Sequence, residues 1–125
     1  MNRARSQRGS VAILVCGLIA LATVLAVAVV LVGGAVVLAG RAEAAADAAA
    51  LAGADSVALG TRSLACAAAS LVAESNEAHL VDCDVSHDSV EVVVQLTGDG
   101  PLALGRTVRA RSRAEISDRP AVGGG

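Results

Sequence analysis

The residues of this 125-residue chain whose types can do chemistry are few. They are the cysteines Cys66 and Cys83 and one acidic run, His79-Leu80-Val81-Asp82-Cys83-Asp84-Val85-Ser86-His87-Asp88, which holds both histidines. His, Cys and Asp are all zinc donors, but their spacing here matches no recurrent ligand pattern, and a disulfide would remove Cys83 from the set. For calcium, Asp82, Asp84 and Asp88 lack the glycine and terminal glutamate of a binding loop. A solvated strand face and turn accounts for the run, so no metal and no cofactor is expected. No nucleophile elbow, activated thiol or phosphate-binding glycine loop is present, so the sequence predicts no catalytic residues, no small-molecule substrate and no enzyme.

The elements that would position these residues are built from small apolar side chains. Hydrophobic residues make up 54% of the chain, yet Phe, Tyr and Trp are absent, which removes stacking platforms and interfacial anchors alike. All ten basic residues are Arg; three precede the apolar stretch, and from Arg41 onward seven Arg face twelve Asp and Glu. That acidic balance without aromatics excludes a nucleic-acid partner, which requires a basic footprint.

From Ser10 to Gly40 there are 31 consecutive uncharged residues. As a helix they would extend roughly 46 Å, against about 30 Å of bilayer hydrocarbon. The sequence therefore predicts a transmembrane helix over 10–40, preceded by a basic N-terminus over 1–9. Arg3, Arg5 and Arg8 lie before the span, whereas Arg41 is offset by Glu43 and Asp47. The positive-inside rule puts the N-terminus in the cytoplasm and residues 41–117 outside the cell membrane. Ala42-Glu43-Ala44 has the form of a signal-peptidase site, but the apolar segment is far longer than a signal core. Cys16 follows Val15 rather than the small residue of a lipoprotein signal, and reads as a buried apolar thiol.

Helical character continues through Arg41–Val57, where Gly40, Ala44, Ala48, Ala52 and Ser56 recur every fourth residue. Such a stripe allows close approach of another helix. A break at Gly60-Thr61 leads to a second helix, N-capped by Ser63 and running to about Ala78, with Leu64, Ala67, Ala68, Leu71 and Val72 as its apolar face. The period then becomes two. Val81, Cys83 and Val85 form one face of a first strand; Val90, Val92, Val94 and Leu96 form one face of a second. Gly98-Asp99-Gly100-Pro101 marks a turn before a strand over 106–116, with Val108, Ala110, Ser112, Ala114 and Ile116 opposite Arg109, Arg111, Arg113 and Glu115. Residues 118–125 read as a disordered tail. The expected class is α+β: a long N-terminal helix, a second short helix and a small three-stranded antiparallel sheet whose apolar face the helices must cover. In an oxidising compartment and so small a domain, Cys66 and Cys83 are expected to form a disulfide, the alternative being two unpaired thiols.

Arg8-Gly9-Ser10-Val11-Ala12, the apolar segment, and above all Ala45-Ala46-Asp47-Ala48-Ala49-Ala50-Leu51-Ala52-Gly53-Ala54 resemble the opening of TadE/TadG-like proteins of tight-adherence (Flp) pilus systems. With its Cys66 and Cys83 spacing and its Arg-rich last strand, the chain is similar to the actinobacterial helicase/secretion neighbourhood TadE-like proteins. The resemblance implies a pilin-like fold and a minor pilin or pseudopilin role beside other pilin-like subunits and Tad platform proteins, in a pilus or a secretion apparatus. Prepilins of this class are cut after a glycine and carry Glu at the fifth mature position; counted from a cut between Gly9 and Ser10, that position is Leu14. Cleavage there and anchoring with the N-terminus retained both stay open. A membrane-tethered domain binding a ligand or metal outside any machine is the alternative function.

The topology is directly measurable. Single-cysteine reporters at the two ends of the chain are expected to label from opposite sides of the membrane, and labelling of both from outside would refute the arrangement.

Overall fold

The computed structural model describes the backbone of residues 2–100 and 105–116, and side chains from residue 9 onward within those ranges. The order is α1 (Asn2–Ala58), a 3-10 turn (Arg62–Leu64), α2 (Ala65–Ser75), β1 (His79–Val85), β2 (Ser89–Thr97) and β3 (Thr107–Glu115). This is the expected α+β class. Pro101 of the anticipated turn and the tail at 118–125 lie outside the described residues, as do the side chains of Arg3, Arg5 and Arg8.

The chain divides into two units at Ala35/Val36. In the first, α1 exposes its large apolar side chains all round, Val11, Ile13, Leu14, Leu18 and Leu25 among them. A helix apolar on every side is suited to lipid, and α1 is long and apolar enough to cross a membrane. Its hydroxyl at Thr23 donates to the Ala20 carbonyl at 2.8 Å, so the side chain brings no unsatisfied donor into an apolar environment. Cys16 lies on the outer surface of this helix, among the apolar side chains suited to lipid.

The second unit places one face of the sheet against the helices. Strand order is β1-β2-β3, antiparallel throughout. Val90, Val92, Val94 and Leu96 of the central strand are buried, with Ala42, Ala45, Ala46, Ala49, Ala50 and Ala54 of α1 and Ala69 and Ala73 of α2 in the same core. Val108 and Ala114 of β3 and the following Ile116 pack at its margin. The alternation read for β2 and β3 is thus the observed one.

Four local readings need correction. In β1 the register shifts between Leu80 and Asp82. This β-bulge adds one residue and turns Val81 outward, so the core-facing set is Leu80, Cys83 and Val85 in place of Val81, Cys83 and Val85. In α2 the buried face is Ala65, Ala69 and Ala73, while Leu64 and Leu71 are 56% and 67% exposed. The helix turns its smallest side chains to the core, and the bond from Cys66 to β1 holds that rotation. Ser63 does not cap α2; it sits within the 3-10 turn, and no side chain caps the start of the helix.

Helix α2 also ends at Ser75 rather than near Ala78. Glu77 takes φ 59°, the Glu77 amide donates to the Glu74 carbonyl, and the Ala78 amide donates to that of Ala73. That is a Schellman end, with glutamate in the left-handed position usually held by glycine. Helix α1 closes in the same way. Gly60, at φ 84°, donates to Val57, and Thr61 donates to Ser56.

Cys66 and Cys83 form a disulfide between α2 and β1, with Cα atoms 5.9 Å apart and 17 residues of separation. Nearby, the Arg62 guanidinium donates to the carbonyls of Val85 and Ser86, a second tie from the start of α2 to the end of β1. Because the core is mostly alanine and valine, the cross-link is a large share of its stability. Replacing both cysteines by serine is expected to cost about 3 kcal/mol, read as a lower unfolding temperature of the purified full chain and a lower level in membranes; an unchanged temperature would show that packing alone suffices.

Candidate packing interfaces

Among the described residues of the second unit, the side chains that can do chemistry are not gathered together. His79 begins β1 and His87 lies in the turn after it, so the acidic histidine run is stretched along an edge strand. Asp82 accepts from the Cys83 amide at 2.9 Å, and Asp84 accepts from the Ser86 hydroxyl at 3.1 Å. Among the described residues no group of three or more His, Cys, Asp or Glu side chains is placed to hold a metal ion. An open depression of about 460 Å³ is lined by Arg41, Ala44, Ser75, Asn76, Glu77 and Leu96, where the start of this unit's α1 segment meets the ends of α2 and β2. The amide of Asn76 donates to Val72 and the hydroxyl of Ser75 to Leu71, which leaves Arg41 and Glu77 as its charged lining.

What the fold builds with care is the contact between α1 and the sheet. Ala42, Ala45, Ala46, Ala49 and Ala50 are at most 1% exposed. Their spacing of three and four keeps them on one side of the helix. Gly53 continues the row at the point of closest approach. A methyl group there would stand 2.9 Å from Val90 Cγ1 and 3.4 Å from the Ala65 carbonyl oxygen. Glycine's cost in a helix interior is about 1 kcal/mol, and the position repays it by letting β2 and the start of α2 close on α1. The same segment supplies a polar fastening, in which the Ser112 hydroxyl on β3 donates to the Asp47 carboxylate on α1.

Sequence reasoning singled out a different row. Gly40 and Ala44 are exposed, and Ala48 and Ala52 are half-buried beside the covered face. Within this chain, the helix therefore spends its 42/45/46/49/50/53 face on its own sheet and leaves the 40/44/48/52 row largely open. The missed residues carried a signal: alanine at every position of a three-and-four pattern, with one glycine inside it, marks close packing even without a large apolar residue. Gly53→Leu is expected to destabilise the domain at the upper end of the roughly 1–3 kcal/mol seen for overpacking. A melting temperature equal to wild type would mean that Val90 has room to move.

Comparison with known proteins bears on this helix alone. No curated protein and no solved structure matches the chain. Residues 9–56 match the model of the Tad family, Flp pilus-assembly TadE/G-like. The match takes in the apolar stretch, Asp47, Gly53 and every buried residue of α1, and it stops before α2 and the sheet. Over that stretch the chain is similar to TadE/G-like Flp pilus-assembly proteins.

Proposed function

We propose that this protein is a membrane-anchored structural component of a Tad-like pilus or a related secretion apparatus, in a minor pilin-like role. Residues 10–40 span the membrane with the N-terminus in the cytoplasm, and residues 41–117 form a pilin-like domain outside. The observation that carries this reading is the family match over 9–56, because it covers the one element that is both long and apolar enough to cross a membrane and packed into the domain core. A second support is the open row at Gly40, Ala44, Ala48 and Ala52. Gly40 and Ala44 are exposed and Ala48 and Ala52 half-buried, so a neighbouring helix of a pilin-like or platform subunit can approach closely over this row. The reading of a tethered metal-binding domain loses its main support with the histidines distributed along β1 and its turn.

The test separates folding from assembly. Ala44→Leu keeps helix propensity and places bulk on the exposed side of α1, so the domain is expected to accumulate normally while partner co-purification falls by the roughly 1–3 kcal/mol, or about 5- to 150-fold, of an overpacked contact. Ala48→Leu is expected to act alike, with some loss of stability because the residue is half-buried. Ala49→Leu, on the covered face, is the control that lowers the protein level itself. Undiminished co-purification with both Ala44→Leu and Ala48→Leu would remove the row from the assembly surface.

A further inference from the structure

The sheet has a second face that neither helix covers. Its side chains form three cross-strand rows: His79, Gln95 and Arg109; Asp82, Val93 and Arg111; Asp84, Glu91 and Arg113. Charge is divided across these rows. The β1 edge carries Asp82 and Asp84, the β3 edge carries Arg109, Arg111 and Arg113, and Val93 is half-buried at the centre. Arg109 Nε donates to Gln95 Oε1 at 3.2 Å and Arg113 Nε to the Ser89 hydroxyl at 3.0 Å, while the ion pairs of Arg111 and Arg113 within the chain are loose. Arg111 Nε lies 3.5 Å from Glu91 Oε1, with 69% of its own side chain exposed, and Arg113 Nη2 lies 3.9 Å from Asp88 Oδ1. Exposed pairs of this kind contribute little and exchange readily.

We propose that this face docks a second copy of the same chain, packed sheet to sheet about a twofold axis parallel to the strands. A rotation about that axis lays β1 of one copy over β3 of the other and preserves position along the strands. Asp82 then faces Arg111 of the second copy, Asp84 faces Arg113, and Val93 meets its own counterpart. Glu91 also meets its counterpart, but each Glu91 has Arg111 of its own chain beside it.

The other face-to-face twofold, perpendicular to the strands, sets arginine over arginine, a like-charge juxtaposition that disfavours it. It also points the two domains in opposite directions. With the axis parallel to the strands, the ends at which α1 enters the two domains, marked by Arg41 beside Glu77 and Leu96, lie at the same end of the pair. Two chains rooted in one membrane need that arrangement. Charge and chain direction, which are independent, select one geometry. A three-stranded face is smaller than the roughly 800 Å² per partner of a stable dimer, so pairing depends on the concentration that a shared membrane provides.

The experiment uses the full chain in its native membrane, with Cys16→Ser as background. Packed sheets lie about 10 Å apart, too far for a direct disulfide, so Val93→Cys is treated with a short bis-maleimide. A cross-linked product of twice the chain mass is expected, with none from Leu71→Cys on the outer side of α2. Reversing one edge, either by Asp82→Arg with Asp84→Arg or by Arg111→Asp with Arg113→Asp, is expected to lower the yield by roughly tenfold or more. Co-expressing the two reversed chains is expected to restore it between unlike copies, an outcome that misfolded variants would not give. Yield from Val93→Cys no higher than from Leu71→Cys, a product joined to a different protein, or full yield from both reversed chains would overturn the proposal. None of these outcomes depends on the fate of pilus partners, so failure here is distinct from failure of the assembly reading.

Discussion

The structure depends on how closely α1 can approach β2. With no aromatic residue anywhere in the chain, there is no large side chain to fill a wide gap between helix and sheet. Burial has to come from proximity instead. Alanines on the helix share a buried core with the valines of β2, Val90 coming closest at Gly53, and dispersion between many close atoms substitutes for the area a few rings would have buried. Gly53 is the limiting case, where even a methyl group would crowd Val90.

A core of this kind is specified differently from an ordinary one. Large side chains specify a fold by shape, through interdigitation. Alanine has little shape, so the register of α1 on the sheet rests on the few places where something directional intervenes: the crowding at Gly53, the hydrogen bond from Ser112 to Asp47 and the two Schellman ends that fix where each helix stops. The covalent link from Cys66 to Cys83 completes the set by tying α2 to the strand beside it, which reduces the freedom of a chain that its core alone constrains only lightly.

Much of this was legible in the residues, and the failures share one cause. Period-two alternation in β2 and β3 marked their buried faces directly, because valine and arginine on opposite sides admit no other assignment. In α2 the same logic failed: Leu64 and Leu71 are its largest apolar residues and yet face outward. Size indicates the buried side only when the core has room for size. The bulge at Val81 was illegible because one inserted residue leaves composition unchanged while reversing every side chain before it. On α1, period-four reasoning found a genuine row of small residues but not the buried one, since in an alanine-rich helix several rows satisfy the pattern and only the sheet distinguishes them.

Among the described residues no strand pairs with the outer edge of β1 or of β3, and the two edges are guarded in different ways. At β1 the bulge interrupts the regular series of backbone donors and acceptors that another strand would copy. At β3 the repeated arginines place like charge where an incoming β3 would have to lie. Membrane proteins crowded into patches are at risk of strand-by-strand accretion into cross-β aggregates. These edges act against that growth, so copies of the domain can come together through faces, which limit the number that join, without seeding an open-ended fibre of sheet.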